Sequence, residues 1–104
     1  MALSFMSKSN PYGTTTYVIY GSHPEEEQQA IDFQAAVNAE KPNQVILLEK
    51  NSRDTEELLL FYAITETRTP QVLIIGESDT LNYHWATSLP VVSEVLYRLN
   101  QIGD

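Results

Sequence analysis

"TETRTPQVLII", residues 65–75, is the stretch on which the reading of this chain turns. A Thr–Pro pair stands directly before an unbroken apolar run. Proline has no N–H to give to a ladder, so within a sheet it is confined to a strand's first residue, an edge or a bulge. Pro70 therefore marks the entry of a strand. The apolar run behind it, "VLII" at 72–75, has the pattern of a strand covered on both faces.

The flanking segments supply the remaining elements. "GESD", 76–79, reads as a hairpin turn leading into "TLNYHW", 80–85. A closing helix is expected from near Ser88, with Pro90 in its first turn. Its inner stripe would be Val92, Val95 or Leu96, Leu99 and Ile102. Upstream, "NSRDTEELLLFYAIT", 51–65, reads as a helix opened by a capping pattern of Asp54 with Glu57. "QVILLE", 44–49, is an apolar run of strand length. "SHPEEEQQAIDFQAAVNAE", 22–40, is a helix with Ala30, Phe33 and Val37 on its buried face. Ser22 and Glu25 form its expected capping box, Pro24 lies in its first turn, and Pro42 and Asn43 end it. "TYVIY", 16–20, is the first strand and stops at Gly21. The order is β-α-β-α-β-β-α. A βαβ crossover makes the first two strands parallel, and the final hairpin is antiparallel. The expected sheet is four-stranded and mixed, ordered β2-β1-β3-β4, with helices on both faces.

The chain has 104 residues, enough for one core, and a formal charge of −8. That charge repels phosphates and anionic lipid, which argues against nucleic acid and membrane as partners. No apolar run approaches the roughly 20 residues of a membrane-crossing helix. Residues 1–15 read as a flexible arm, too polar for a signal peptide, ahead of a domain over 16–104. A cytoplasmic location is the default expectation. The chain has no cysteine and two histidines, so it lacks thiolate chemistry and has little with which to build a zinc site. No cofactor motif is present: neither a P-loop nor a G-x-G-x-x-G turn occurs.

The element order and the Thr69–Pro70 pair together resemble the thioredoxin-like superfamily over about residues 16–102, an α/β three-layer sandwich. "TPQVLII" followed by "YHWATS" looks most like its monothiol bacilliredoxin- and glutaredoxin-like members. The resemblance implies a cis peptide bond at Pro70. It also implies a Thr69 backbone free to pair with an extended partner, beside the turn after the first strand. In that family the reactive cysteine opens the first helix; here the matching stretch is "GSHPEEE". Glu25, Glu26 and Glu27 occupy the positive end of the helix, where carboxylates are stabilising.

Ser22 beside His23 is no catalytic triad, because adjacent side chains diverge and no oxyanion hole accompanies them. Successive helical glutamates point about 100° apart, so a weak, adventitious cation is the most they could hold. His84 reads as a surface or partly packed residue on the opposite face from Tyr83 and Trp85. Tyr12, Tyr17, Tyr20, Tyr83 and Trp85 are candidates for an aromatic patch or for core packing. The reading that follows is a redox-inactive module that binds another protein with a basic or extended segment. Its contact residues would be Ser22, His23, Glu25, Glu26, Glu27, Thr69, Pro70 and Trp85. The alternatives are a small-molecule binder or enzyme using the same groove, and a structural homodimer formed through a strand edge or the last helix.

Overall fold

The computed structural model describes residues 13–103. Strands β1 (Thr15–Tyr20), β2 (Val45–Glu49), β3 (Gln71–Ile75) and β4 (Leu81–Ala86) alternate with helices α1 (Pro24–Glu40), α2 (Arg53–Phe61) and α3 (Val92–Gly103). The sheet runs β2-β1-β3-β4, with β1 parallel to β2 and antiparallel to β3. This is the order expected from the sequence. A 3-10 turn, Glu77–Asp79, joins β3 to β4, and Ser78 and Asp79 both take positive φ there.

Pleating sends alternate residues of the central strands to opposite sides, so each side builds its own core. On one side Val18, Val72 and Ile74 pack with Ala30, Phe33 and Val37 of α1 and Val95 and Leu99 of α3. On the other, Tyr17, Ile19, Leu73 and Ile75 pack against Leu58 of α2. All five residues of β3 are buried, as the apolar run after Pro70 implied. At about 25 cal/mol per Å² of apolar area, a fully buried Val, Leu or Ile contributes about 1.5–3 kcal/mol, which makes β3 the densest source of stability in the fold.

The element ends depart from expectation in physically instructive ways. β1 begins at Thr15, and Thr14 is already buried, its hydroxyl bonded to the amide of buried Gln44. These two residues therefore belong to the domain; residues 1–12 of the expected arm, Tyr12 included, lie outside the described residues. The capping box is not Ser22 with Glu25. His23 is the N-cap of α1, its Nδ1 accepting from Glu25 N at 3.4 Å, and Ser22 is exposed outside the helix. Pro24 takes the first helical position, where its missing N–H costs nothing, and this sets the boundary one residue later.

For α2 the cap is Ser52 rather than Asp54; its hydroxyl accepts from Thr55 N at 3.2 Å. Asp54 sits inside the first turn, favoured there by the helix dipole. Helix α3 starts at Val92, not near Ser88. Proline disfavours the helical region in the residue before it, so Leu89 stays outside the helix and Pro90 lies ahead of it. The Val91 carbonyl opens the helix instead, accepting from Glu94 N at 3.0 Å and Val95 N at 3.3 Å.

Candidate functional site

The register gathers four chain segments at one end of the sheet. β1 ends at Tyr20 opposite Glu49 of β2, while Ile19 pairs with Gln71 of β3, and Gln71 pairs with Ala86 of β4. The Gly21–Glu27 turn, the Thr67–Pro70 loop and the Ala86–Ser88 loop therefore lie at the same end. The Thr69–Pro70 bond is cis.

Gly21 is the hub of this corner. Its buried N–H donates to the carboxylate of Glu26, the third residue of α1. A Cβ placed on Gly21 would stand 2.7 Å from Glu26 Oε2 and 2.8 Å from Thr69 Oγ1, so a side chain there would have to displace both from this packing. Of the three glutamates, Glu26 alone is half-buried and engaged; Glu25 and Glu27 are exposed, as are Ser22 and His23. Among the described residues the Thr69 backbone has no hydrogen-bond partner. Among the described residues the corner thus presents exposed carboxylates on one side and a peptide group without a partner on the other.

Trp85 directly precedes the Ala86–Ser88 loop and pairs with Val72. It sits on the α1/α3 side of the sheet, half-buried, stacked on Tyr83 with ring centroids 5.9 Å apart. Arg98 lies over the Tyr83 ring at 5.2 Å, a cation–π contact. Tyr17 is buried in the α2-side core, its phenol pushed up to about 12 chiefly by burial. Tyr20 and Tyr83 are half-buried against the other core, on the same side of the sheet as Trp85 and opposite to Tyr17.

A second cluster went unnoticed in the sequence. Gln71, fully buried, donates from Nε2 to Glu66 O at 2.8 Å and Arg68 O at 3.0 Å. Both amide hydrogens are then used, so Gln71 Oε1 can only accept, and His84 Nε2, 2.7 Å away, must be the donor. Burial lowers the His84 pKa, and the nearby Glu66 charge opposes that shift. Glu66 and Arg68 close a salt bridge at 2.9 Å whose hydrogen bonds hold Glu66 at about 2. The available signal was a lone amide at the head of an apolar strand, since a buried amide must find partners.

A cleft of about 170 Å³ opens on the α2 side, lined by Ile19, Lys50, Asn51, Thr55, Thr67 and Gln71 among others. No group of three or more potential metal ligands occurs among the described residues. Nor is any described helix long and apolar enough to cross a membrane.

No protein-family model and no curated protein matches the sequence. Solved structures do match. A malarial protein superposes with a TM-score of 0.61 at 7% identity, over 86% of this chain and 96% of that one. A thioredoxin from Thermus thermophilus superposes with a TM-score of 0.52 at 17% identity, over 86% of this chain and 72% of that one. The fold is thioredoxin-like. At these identities the likeness is one of architecture, and the chain brings no cysteine to it. A thioredoxin-like fold without a cysteine has no sulfur with which to exchange disulfides.

Proposed function

We propose that the chain is a redox-inactive thioredoxin-fold module that binds another protein through the corner built around Gly21. What carries the reading is the use of the α1 N-terminus. Glu26 is turned back onto the Gly21 N–H, leaving Glu25 and Glu27 as a solvent-facing acidic pair beside a Thr69 backbone with no partner among the described residues. Carboxylates there repel anionic thiols and attract a basic partner, while a free peptide group suits an extended segment. The sequence pattern "TPQVLII" with "YHWATS" supports a relation to monothiol members of the fold, with the thiol lost. The α2-side cleft, at about 170 Å³, is smaller than the roughly 300–1,000 Å³ of ligand pockets for drug-sized molecules.

The test is affinity capture from cell lysate, followed by surface plasmon resonance on the captured partner. Glu25→Gln/Glu27→Gln leaves the Glu26 bond intact, so the fold should hold. Association should slow in that variant and at physiological salt, because both weaken the steering field. A partner that binds the variant at the wild-type rate at low salt refutes this site.

A further inference from the structure

The two edges of the sheet are treated differently. On β2, Thr16 N donates to Gln44 O at 3.0 Å, which leaves the Val45 N–H and C=O pointing outward. Helix α1 closes both: Val45 N donates to Asn38 Oδ1 at 2.9 Å, and Gln34 Nε2 donates to Val45 O at 3.0 Å. The strand then ends in charged Glu49 and Lys50. That edge is closed at Val45 and at Glu49 O, which accepts from Ser52 N at 3.0 Å, and is interrupted only at Leu47.

Among the described residues β4 has no such cover. The Thr16 bond, and that of Lys50 N to Tyr20 O, show that Thr16 and Tyr20 face β2. Tyr17 and Ile19 accordingly face β3, and bond its Leu73 and Gln71. Val72 and Ile74 are left to face β4, opposite Trp85 and Tyr83. The backbone groups of His84 and Ala86 therefore point away from the sheet, and no described side chain bonds them. Natural edges are normally blunted by charge or proline. From Thr80 to Leu89 this chain has neither. Near β4, Arg68 pairs with Glu66 at 2.9 Å and Arg98 with Glu94 at 2.8 Å, and the remaining charges, Glu77 and Asp79, sit in the turn before the strand and off its Thr80–Leu89 stretch.

We propose that two copies of the chain pair antiparallel along β4, joining their four-stranded sheets into one. The charge distribution selects this occupant. Two chains of −8 repel each other across most of their surfaces and can meet only where charge is absent or neutralised, as at β4. A basic partner would be drawn to the acidic helix start instead. A two-fold antiparallel pairing also guarantees complementarity, since each copy presents the same open donors and acceptors.

The test is sedimentation velocity of the full chain across a concentration and salt series, with hydrogen exchange of the His84 and Ala86 amides. A dimer that tightens with added salt is expected, because salt screens the residual repulsion. Salt weakens a contact between the acidic corner and a basic partner, so the two surfaces are separable. Asn82→Asp/Ala86→Asp places like charges along the strand and should weaken self-association by about tenfold or more. The two amides should exchange slowly only at concentrations where the dimer forms. A chain that stays monomeric, a dimer untouched by the variant, or equal amide protection in dilute monomer each overturns the proposal. The last result would mean that the chain covers its own edge.

Discussion

Removing the Glu26 carboxylate isolates the contribution of the corner to the fold. Glu26 accepts the N–H of Gly21, a buried residue, from inside the first turn of α1. A hydrogen bond to a charged group contributes about 1.5–3 kcal/mol, and a buried N–H left without a partner costs about 1–3 kcal/mol. The helix dipole adds about 0.3–1 kcal/mol for a carboxylate at this end. These figures describe overlapping effects, so Glu26→Ala should cost about 2 kcal/mol rather than their sum. Glu25→Ala removes an exposed carboxylate whose side chain caps nothing, and should cost only about 0.3–1 kcal/mol. Glu26→Gln keeps an acceptor and loses the charge, and should fall between them. In a domain of this size, about 2 kcal/mol lowers the melting temperature by about 8–16 °C. Urea unfolding followed by circular dichroism measures all three variants at constant slope. If Glu26→Ala and Glu25→Ala unfold at the same midpoint, the Gly21–Glu26 bond is not what closes the corner.

Gln71→Leu strips the 66–68 loop of two donors and His84 of its acceptor, so a loss of about 2–3 kcal/mol is expected in the same assay. A double-mutant cycle with His84→Ala should show coupling of about 0.5 kcal/mol or more, and additivity would exclude the shared bond. His84 also predicts a pH dependence. Its folded pKa lies below the ordinary value, so the unfolded chain binds the proton more readily. The associated stability is present above the unfolded pKa of about 6.5 and declines as pH falls through it towards the folded value. His84→Gln should flatten that slope; an unchanged slope assigns it to other groups. Ser52→Ala should cost about 0.5–2 kcal/mol as the cap of α2, and Asp54→Ala about 1 kcal/mol or less; midpoints in the reverse order would move the cap back to Asp54.

Much of this protein is local enough to be legible in its sequence. The 3.6-residue spacing of Ala30, Phe33 and Val37, the apolar run after Pro70, and the polar turns between them specify which segments are helix or strand. The short hairpin and the βαβ crossover then specify strand direction and order. These follow from patterns within a few residues, where hydrophobic periodicity dominates. The absence of cysteine, likewise, settles the question of thiol chemistry from composition alone.

What sequence could not decide was which of several equivalent polar residues finds a partner. Ser22, His23, Asp54 and Ser52 are all competent caps, and a shift of one residue in helix start, set by Pro24, changes which one acts. Three adjacent glutamates look alike in sequence, yet only Glu26 projects towards Gly21, because consecutive helical residues diverge by about 100°. Gln71 and His84 are 13 residues apart and meet only through the β3–β4 register. That Val45 of β2 is covered while His84 and Ala86 of β4 find no partner among the described residues depends on which amides face outward and where the side chains of α1 reach. Those are three-dimensional facts, since hydrogen bonds are short and directional, and only the packed chain brings donor and acceptor within about 3 Å of each other.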